Sequence, residues 1–444
     1  MVEQMKPSGI DWIGDIPQSW LIGRVKNFYK ILTGFTPDTS NPEYYDDDLG
    51  YDWITIADID NAKYIIETKS KISQKYIQEK HPSITPKGSL LYSFKLSVGK
   101  VAFAGKNIYT NEAIASFVED KNVCLKFLYY SSTLIIENAN INIYGAKIMN
   151  QELIGNAPIV FPVLEEQRLI SGFLDKQCGK IDSIINDLEK QIDILQKYKK
   201  SLILETVTKG LNKNAPMKPS GIDWIGDIPA HWDIKRLKYL LEPSEENMKV
   251  GPFGSALSGG DIVNEGKWIY NQRVVLDDNF NETDSFITEE KFQEMKGFVV
   301  KGGDLLITTR GTIGKVAIVP DNPQEGILHP CIIKFRVNKE LILPELVKLI
   351  FNESDIVKDQ FILMSNATTI EVIYSYSLKE IILPVIPMEE QKAVFEFLSK
   401  QCSTIDSILK DKQEQLEKIK QHKKSLIYEY VTGKKRVKEA TNGN

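Results

Sequence analysis

The sequence predicts an α+β fold: two similar α/β domains joined through two long helices. Three observations predict it. The stretch Met5–Trp20, MKPSGIDWIGDIPQSW, returns at Met217–Trp232 as MKPSGIDWIGDIPAHW, identical at fourteen of sixteen positions. The segment opening at Glu165-Glu166-Gln167 returns at Glu389-Glu390-Gln391 and runs on without a gap at an offset of 224. The segments between these blocks diverge. The chain thus reads as A-x-B-A-y-B, and an internal repeat decides architecture before any local signal does. Two readers mounted on one scaffold fit this pattern better than an enzyme built around one active site.

Block A, rich in Ser, Gly, Trp and Pro, reads as a lead-in that packs Trp12, Trp20, Trp224 and Trp232. The variable segments mix short β-type runs with turns. Trp53–Ile56, Ser89–Phe94 and Lys100–Ala104 have counterparts in Trp268–Tyr270, Asp304–Thr309 and Lys315–Val319. The later runs align at an offset of 215, so the variable segments are diverged versions of one α/β fold.

Block B reads as a long helix entered from the proline-bearing strands Ala157–Val163 and Ile381–Met388. Its apolar residues step by four and three through Ile181, Ile185, Leu188, Ile192, Leu195 and Leu202. The second copy gives Ile405, Leu409, Leu416, Ile419 and Leu426. This is a coiled-coil seam, and each stripe needs a partner that the other copy can supply. Lys199, Lys412 and Lys423 also fall in the seam and weaken a strictly apolar interface, although lysine stems can cover apolar surface. The stops are Thr208-Lys209-Gly210 and Thr432-Gly433. The straight part Ile181–Val207 is a rod of roughly 40 Å, close to one turn of B-DNA, about 34–36 Å. The boundaries that follow are 1–157 for the first variable domain, 158–212 for the central region, 213–380 for the second variable domain, 381–436 for the C-terminal region and 437–444 for a polar tail.

Composition sets limits. With 42% hydrophobic and 26% charged residues, the chain is that of an ordinary globular protein. The start MVEQMKPSG has no signal-peptide pattern, no apolar run is long enough to span a bilayer, and a cytoplasmic location without membrane contact is expected. Cys124, Cys178, Cys331 and Cys402 are scattered, which suits free thiols and argues against zinc or disulfides. The net charge of −5 excludes a uniformly basic DNA binder, but leaves room for local basic patches or for positive charge on a partner.

SFKLSVGKVAF (Ser93–Phe103) and TTRGTIGKVAI (Thr308–Ile318) are the best site candidates. Each is a strand–turn–strand with two cations, hydroxyls and backbone N–H groups, the chemistry that holds phosphate and, through Arg or Lys, guanine edges. The candidate DNA-contacting residues are Tyr92, Ser93, Lys95, Ser97 and Lys100 in the first half. In the second they are Ser255, Thr308, Thr309, Arg310, Thr312 and Lys315. A solvated hairpin turn accounts for the same residues equally well. Gly251–Ser255 reads either as a tight turn of the fold or as a backbone contact. GTIGKV is not a P-loop, because Val316 follows Lys315 where Ser or Thr is required. Asn41-Pro42-Glu43-Tyr44 is read as a turn before an aromatic rather than a base-holding motif, and Asp46-Asp47-Asp48 as a solvated loop. No catalytic set and no metal site can be argued.

Two diverged halves, each opening Trp-Ile-Gly-Xaa-Ile-Pro-Xaa-Xaa-Trp and ending at a proline shortly before Glu-Glu-Gln plus a long helix, resemble the specificity subunit of type I restriction–modification systems. The lead-ins are Trp12–Trp20 and Trp224–Trp232, and the helix entries Pro162–Gln167 and Pro387–Gln391. The resemblance spans nearly the whole chain. It implies two target-recognition domains, each reading half of a bipartite, asymmetric site in double-stranded DNA. The long helices would form an antiparallel coiled coil with pseudo-twofold symmetry that sets the unread gap. Two copies of a methylation subunit and the motor-nuclease subunits would be partners. No cofactor is expected in this chain; S-adenosylmethionine, ATP and magnesium would belong to those partners. The alternative is a non-catalytic coiled-coil scaffold joining two protein-binding domains without DNA.

Overall fold

A computed structural model describes residues 4–437, apart from 47, 60–61, 96, 120–122, 142–146, 224, 254–255 and 366–371. It divides into two compact units, Met1–Leu188 with Gln415–Asn444, and Glu189–Glu414. Both divisions fall inside the long helices, so each unit owns one globular domain and parts of both helices.

The first unit opens with an antiparallel hairpin of Met5–Pro7 and Asp15–Pro17. Leu21–Arg24 then pairs antiparallel with Pro158–Phe161, the strand that feeds the first long helix. Between them lies a five-stranded sheet in the order Lys30–Thr33, Ile114–Val118, Leu90–Ser93, Val101–Ala104, Tyr64–Ile65. A three-stranded sheet orders Tyr109–Thr110, Tyr51–Ile54 and Lys71–Ile72.

The second unit repeats this plan. Met217–Pro219 pairs with Asp227–Pro229, and Asp233–Arg236 with Ile382–Val385. Its larger sheet runs Met248–Val250, Ile332–Phe335, Leu305–Thr308, Val316–Ile318, and its smaller one Phe286–Ile287, Lys267–Tyr270, Gly326–Leu328. Strand order therefore matches between units, with Tyr64–Ile65 additional in the first. The central strands Leu90–Ser93 and Leu305–Thr308 are buried along their whole length. A strand covered on both faces reads as a continuous apolar run rather than an alternating one, as these do.

The long helices span Leu164–Lys209 and Met388–Val431. At 46 residues the first is roughly 70 Å long, well beyond the 40 Å expected of its straight part. The extra turns lie before Ile181, where Ile170, Leu174 and Cys178 carry the apolar stripe into the core of the first unit. In that unit the start of the first helix lies antiparallel to the end of the second. Phe173 meets Tyr430 at a centroid distance of 4.5 Å, and Asp182 meets Lys423 at 2.5 Å. In the second unit the roles exchange, with Lys199 on Asp406 at 2.8 Å and Gln191 on Lys412 at 2.5 Å.

Each seam position is buried or half-buried while most of the residues between are exposed. Ile181, Leu188, Ile405 and Leu409 are buried; Ile185, Ile192, Leu195, Leu202, Leu416, Ile419 and Leu426 are half-buried. No helix among the described residues is long and apolar enough to cross a membrane.

The repeated motifs touch each other. Trp20 and Trp232 are fully buried, and their indoles hydrogen-bond Glu166 and Glu390 of the two Glu-Glu-Gln motifs. The following glutamines are buried staples. Gln167 donates to Pro162 O at 2.9 Å and accepts from Cys124 N at 3.0 Å. Gln391 donates to Ile386 O and Leu341 O and accepts from Leu343 N, all within 2.7–2.9 Å. Of the predicted tryptophan packing, Trp12 is partly buried in the core of the first unit; Trp224 lies outside the described residues.

Candidate nucleic-acid interface

The two strand–turn–strand segments fold into hairpins with the same hydrogen bonds. In the first, Ser93 N donates to Lys100 O (2.9 Å) and Gly99 N to Ser93 O (2.9 Å). In the second, Thr308 N donates to Lys315 O (3.0 Å) and Gly314 N to Thr308 O (2.8 Å). The hydroxyls of Ser93 and Thr308 then accept from the backbone N–H of Lys100 (3.2 Å) and Lys315 (3.1 Å). The turns close through Gly99 at φ +90° and Gly314 at φ +82°, which a residue with a Cβ adopts only under strain.

This geometry sorts the candidate residues. Tyr92, Ser93, Thr308 and Thr309 are buried and face inward. Ser93 also donates to Ser97 O, and Thr309 Oγ1 to Cys331 O at 2.9 Å, so these hydroxyls brace the turns. Burial raises the Tyr92 phenol far above its ordinary pKa. Ser97 is half-buried, and Ser255 lies outside the described residues.

The cations differ between the turns. Lys95 is exposed but ion-paired with Glu112 at 3.0 Å, whereas Lys100 is exposed with no side-chain partner among the described residues. At the equivalent positions the pattern inverts. Arg310 is exposed and without a side-chain partner among the described residues, and Lys315 is half-buried, donating to Asn352 O at 3.1 Å. Asn352, next to last in the helix Pro344–Glu353, also clamps both backbone groups of Val316 at 2.8 Å. Among the described residues, the first turn thus presents a free ammonium at Lys100, and the second a free guanidinium at Arg310 beside the exposed Thr312.

Sequence reasoning missed what surrounds these turns. Arg310 bridges Val372 in an antiparallel contact, and Ile373 N donates to Thr309 O at 2.9 Å. The chain then presents Tyr374 and Tyr376, both exposed and stacked at 5.4 Å with planes 11° apart. Phe253 stands 82% exposed after Gly251, whose N–H donates to Ile332 O. An aromatic in an otherwise variable segment carries no periodic signal, so only the fold brings these residues to one sheet end. Gly34 and Gly251 are required by close approach. A Cβ on Gly34 would lie 1.9 Å from Thr110 O, and one on Gly251 2.1 Å from His329 O.

The weaker motifs are structural. Asn41 caps the turn Pro42–Tyr44 through the Glu43 N–H, and Tyr44 packs edge-on against Tyr76. Asp46 accepts from Leu49 N at 3.0 Å; Asp47 lies outside the described residues. Among the described residues no cluster of His, Cys, Asp and Glu could hold a metal ion, and all four cysteines are free thiols.

The model of the type I restriction modification DNA specificity domain matches residues 17–196 and 253–418. The chain is 25% identical over 434 residues to the type I restriction enzyme MjaVIII specificity subunit of Methanocaldococcus jannaschii, covering 95% of this chain and 94% of that protein. It is 21% identical over 448 residues to the type I restriction enzyme EcoBI specificity subunit of Escherichia coli, covering 97% and 89%. A chain from a solved structure on complex assembly and conformational transition of the type I R-M system superposes with a TM-score of 0.67 at 14% identity. That match covers 94% of this chain and 98% of the other, a likeness of fold. With the family model matching both halves of the repeat, the chain belongs to the type I restriction modification DNA specificity domain family.

Proposed function

We propose that this chain is the non-catalytic DNA-recognition subunit of a type I restriction–modification complex. Family membership sets aside a scaffold that never touches DNA, and the paired hairpin turns carry the more detailed reading. Two hairpins with the same backbone frame offer different exposed cations, Lys100 in one unit and Arg310 in the other. A bidentate guanidinium reads a guanine edge in a way a flexible ammonium does not. One half-site is therefore read from Lys95, Ser97 and Lys100, and a different one from Arg310, Thr312 and Lys315, giving an asymmetric bipartite target. The repeated Trp–Glu-Glu-Gln frame supports two identical partners, two methylation subunits, to which motor-nuclease subunits add. S-adenosylmethionine, ATP and magnesium belong to those partners, and the site of action is the cytoplasm.

The test is single-molecule methylome sequencing of cells expressing this chain with its methylation partner, against cells lacking only this chain. A methylated-adenine motif of two different short half-sites around a fixed gap, lost with the chain, is expected. An unchanged methylome would refute the reading.

A further inference from the structure

The apolar seam of the long helices is interrupted by Lys199, Lys412 and Lys423, and each lysine has a partner on the opposite helix. In the second unit Lys199 Nζ lies 2.8 Å from both oxygens of Asp406 and 2.6 Å from Glu353 Oε2, its side chain only 11% exposed. Lys412 Nζ donates to Gln191 Oε1 at 2.5 Å. In the first unit Lys423 Nζ lies 2.5 Å from Asp182 Oδ1. The offset of 224 carries Lys199 onto Lys423 and Asp182 onto Asp406. The same lysine–aspartate pair is thus made twice, with the helices exchanged.

Burial acts against the Lys199 ammonium, yet Asp406 and Glu353 outweigh it and raise its pKa. The paired state is the charged one.

We propose that these lysine–aspartate pairs fix the register of the two long helices and thereby the single gap length between half-sites that the protein accepts. The gap-length part rests on the DNA-recognition reading above. An aliphatic seam alone is permissive, because Ile and Leu meet Ile and Leu again after a slip of one heptad. Such a slip of seven residues moves one helix about 10.5 Å along the other, roughly three base steps of about 3.4 Å. After such a slip Lys199 would meet Ser399 or Gln413 in place of Asp406, leaving a largely buried ammonium without its carboxylate on the opposite helix, which is disfavoured. Polar groups at single seam positions are the best-attested device for fixing register. Glu353 extends the lock, since it ends the helix Pro344–Glu353 and ties the globular domain of the second unit to the same lysine.

The test uses the full chain with its methylation subunits and a panel of duplexes whose gap varies by single base pairs. Wild type should favour one gap by about tenfold or more over its neighbours. Replacing both pairs with leucine (K199L, D406L, K423L, D182L) should flatten that preference to within about threefold. K199R should keep the peak. K423D alone should broaden it, and K423D with D182K should restore it, which decides the matter should the leucine variant fail to fold. A leucine variant, or a K423D variant, as sharp as wild type would overturn the proposal.

A second readout needs no DNA. Leu202→Cys and native Cys402, both packed in the same core of the second unit, should cross-link with a short bis-maleimide. Leu195→Cys, one heptad away, should cross-link to Cys402 only in the leucine variant. Cross-linking of both positions in wild type also overturns the register lock. Loss of DNA binding in wild type with the expected cross-links would instead refute the recognition reading and leave the lock standing.

Discussion

The indole Nε1 of Trp232 donates to Oε2 of Glu390 at 3.0 Å, closing a loop of 158 residues. Trp20 and Glu166 make the same bond at 3.1 Å. These contacts explain why the lead-in and the helix entry repeat together: the first motif packs its tryptophan against the second motif's glutamate. The segment between them is free to diverge because neither end of the contact lies in it.

Trp232→Phe keeps an aromatic ring in the core but removes the donor and part of the buried indole, leaving Glu390 with His231 as its remaining partner. A hydrogen bond to a charged group contributes about 1.5–3 kcal/mol, and the lost indole volume adds to it, so a loss of at least about that size is expected in the second unit. Thermal unfolding of the purified variant measures it, and an unchanged melting temperature would show that the bond contributes nothing.

Gln391→Ala should be costlier than its size implies. It strands the carbonyls of Leu341 and Ile386 and the N–H of Leu343. Each buried group left unpaired costs about 1–3 kcal/mol. Denaturant unfolding should show the midpoint falling further than in Lys392→Ala, one residue along the exposed face.

Arg310→Ala should weaken binding to one half-site by about 1–3 kcal/mol while the other half-site stays recognised. Equal loss on every sequence would reduce Arg310 to a phosphate contact, and no loss would remove it from the interface. Lys100→Ala is the matching probe of the first unit. Competition binding against duplexes altered in one half-site at a time distinguishes these results.

Gly34→Ala places a methyl group 1.9 Å from Thr110 O, so the loop must shift. Overpacking of this kind costs about 1–3 kcal/mol. Discrimination should fall at the half-site read by the first unit and hold at the other, as footprinting of each half-site would reveal.

Asp175 accepts from Lys63 Nζ and Tyr130 Oη, both at 2.6 Å. Burial opposes its charge, but Lys63 and Tyr130 outweigh it and hold the carboxyl below its ordinary pKa. A carboxyl depressed in the folded state contributes stability above its unfolded pKa, about 3.9, and loses it as pH falls through the folded value. Melting temperature should therefore drop more steeply below about pH 4 in wild type than in Asp175→Asn. Parallel slopes would show that this carboxylate does not set the acid response.

The repeat, the long helices and their seam were legible in the sequence because they are periodic. A stripe of Ile and Leu at 3.5-residue spacing specifies a helix and a partner whatever the tertiary context. The hairpins were legible because glycine punctuates them at equal offsets. The sequence alone could not separate the buried hydroxyls of Ser93 and Thr308, which brace the turns, from the exposed cations beside them. Nor could it foresee that Lys95 is engaged by Glu112 and Lys315 by Asn352, leaving Lys100 and Arg310 without side-chain partners among the described residues. The lysines of the seam looked like defects until the fold set Asp406 and Asp182 opposite them. Local chemistry and periodicity determine which elements form. Which polar group meets which is decided by contacts across the fold, from 17 positions apart for Lys95 and Glu112 to 241 for Asp182 and Lys423, and only the folded chain makes those.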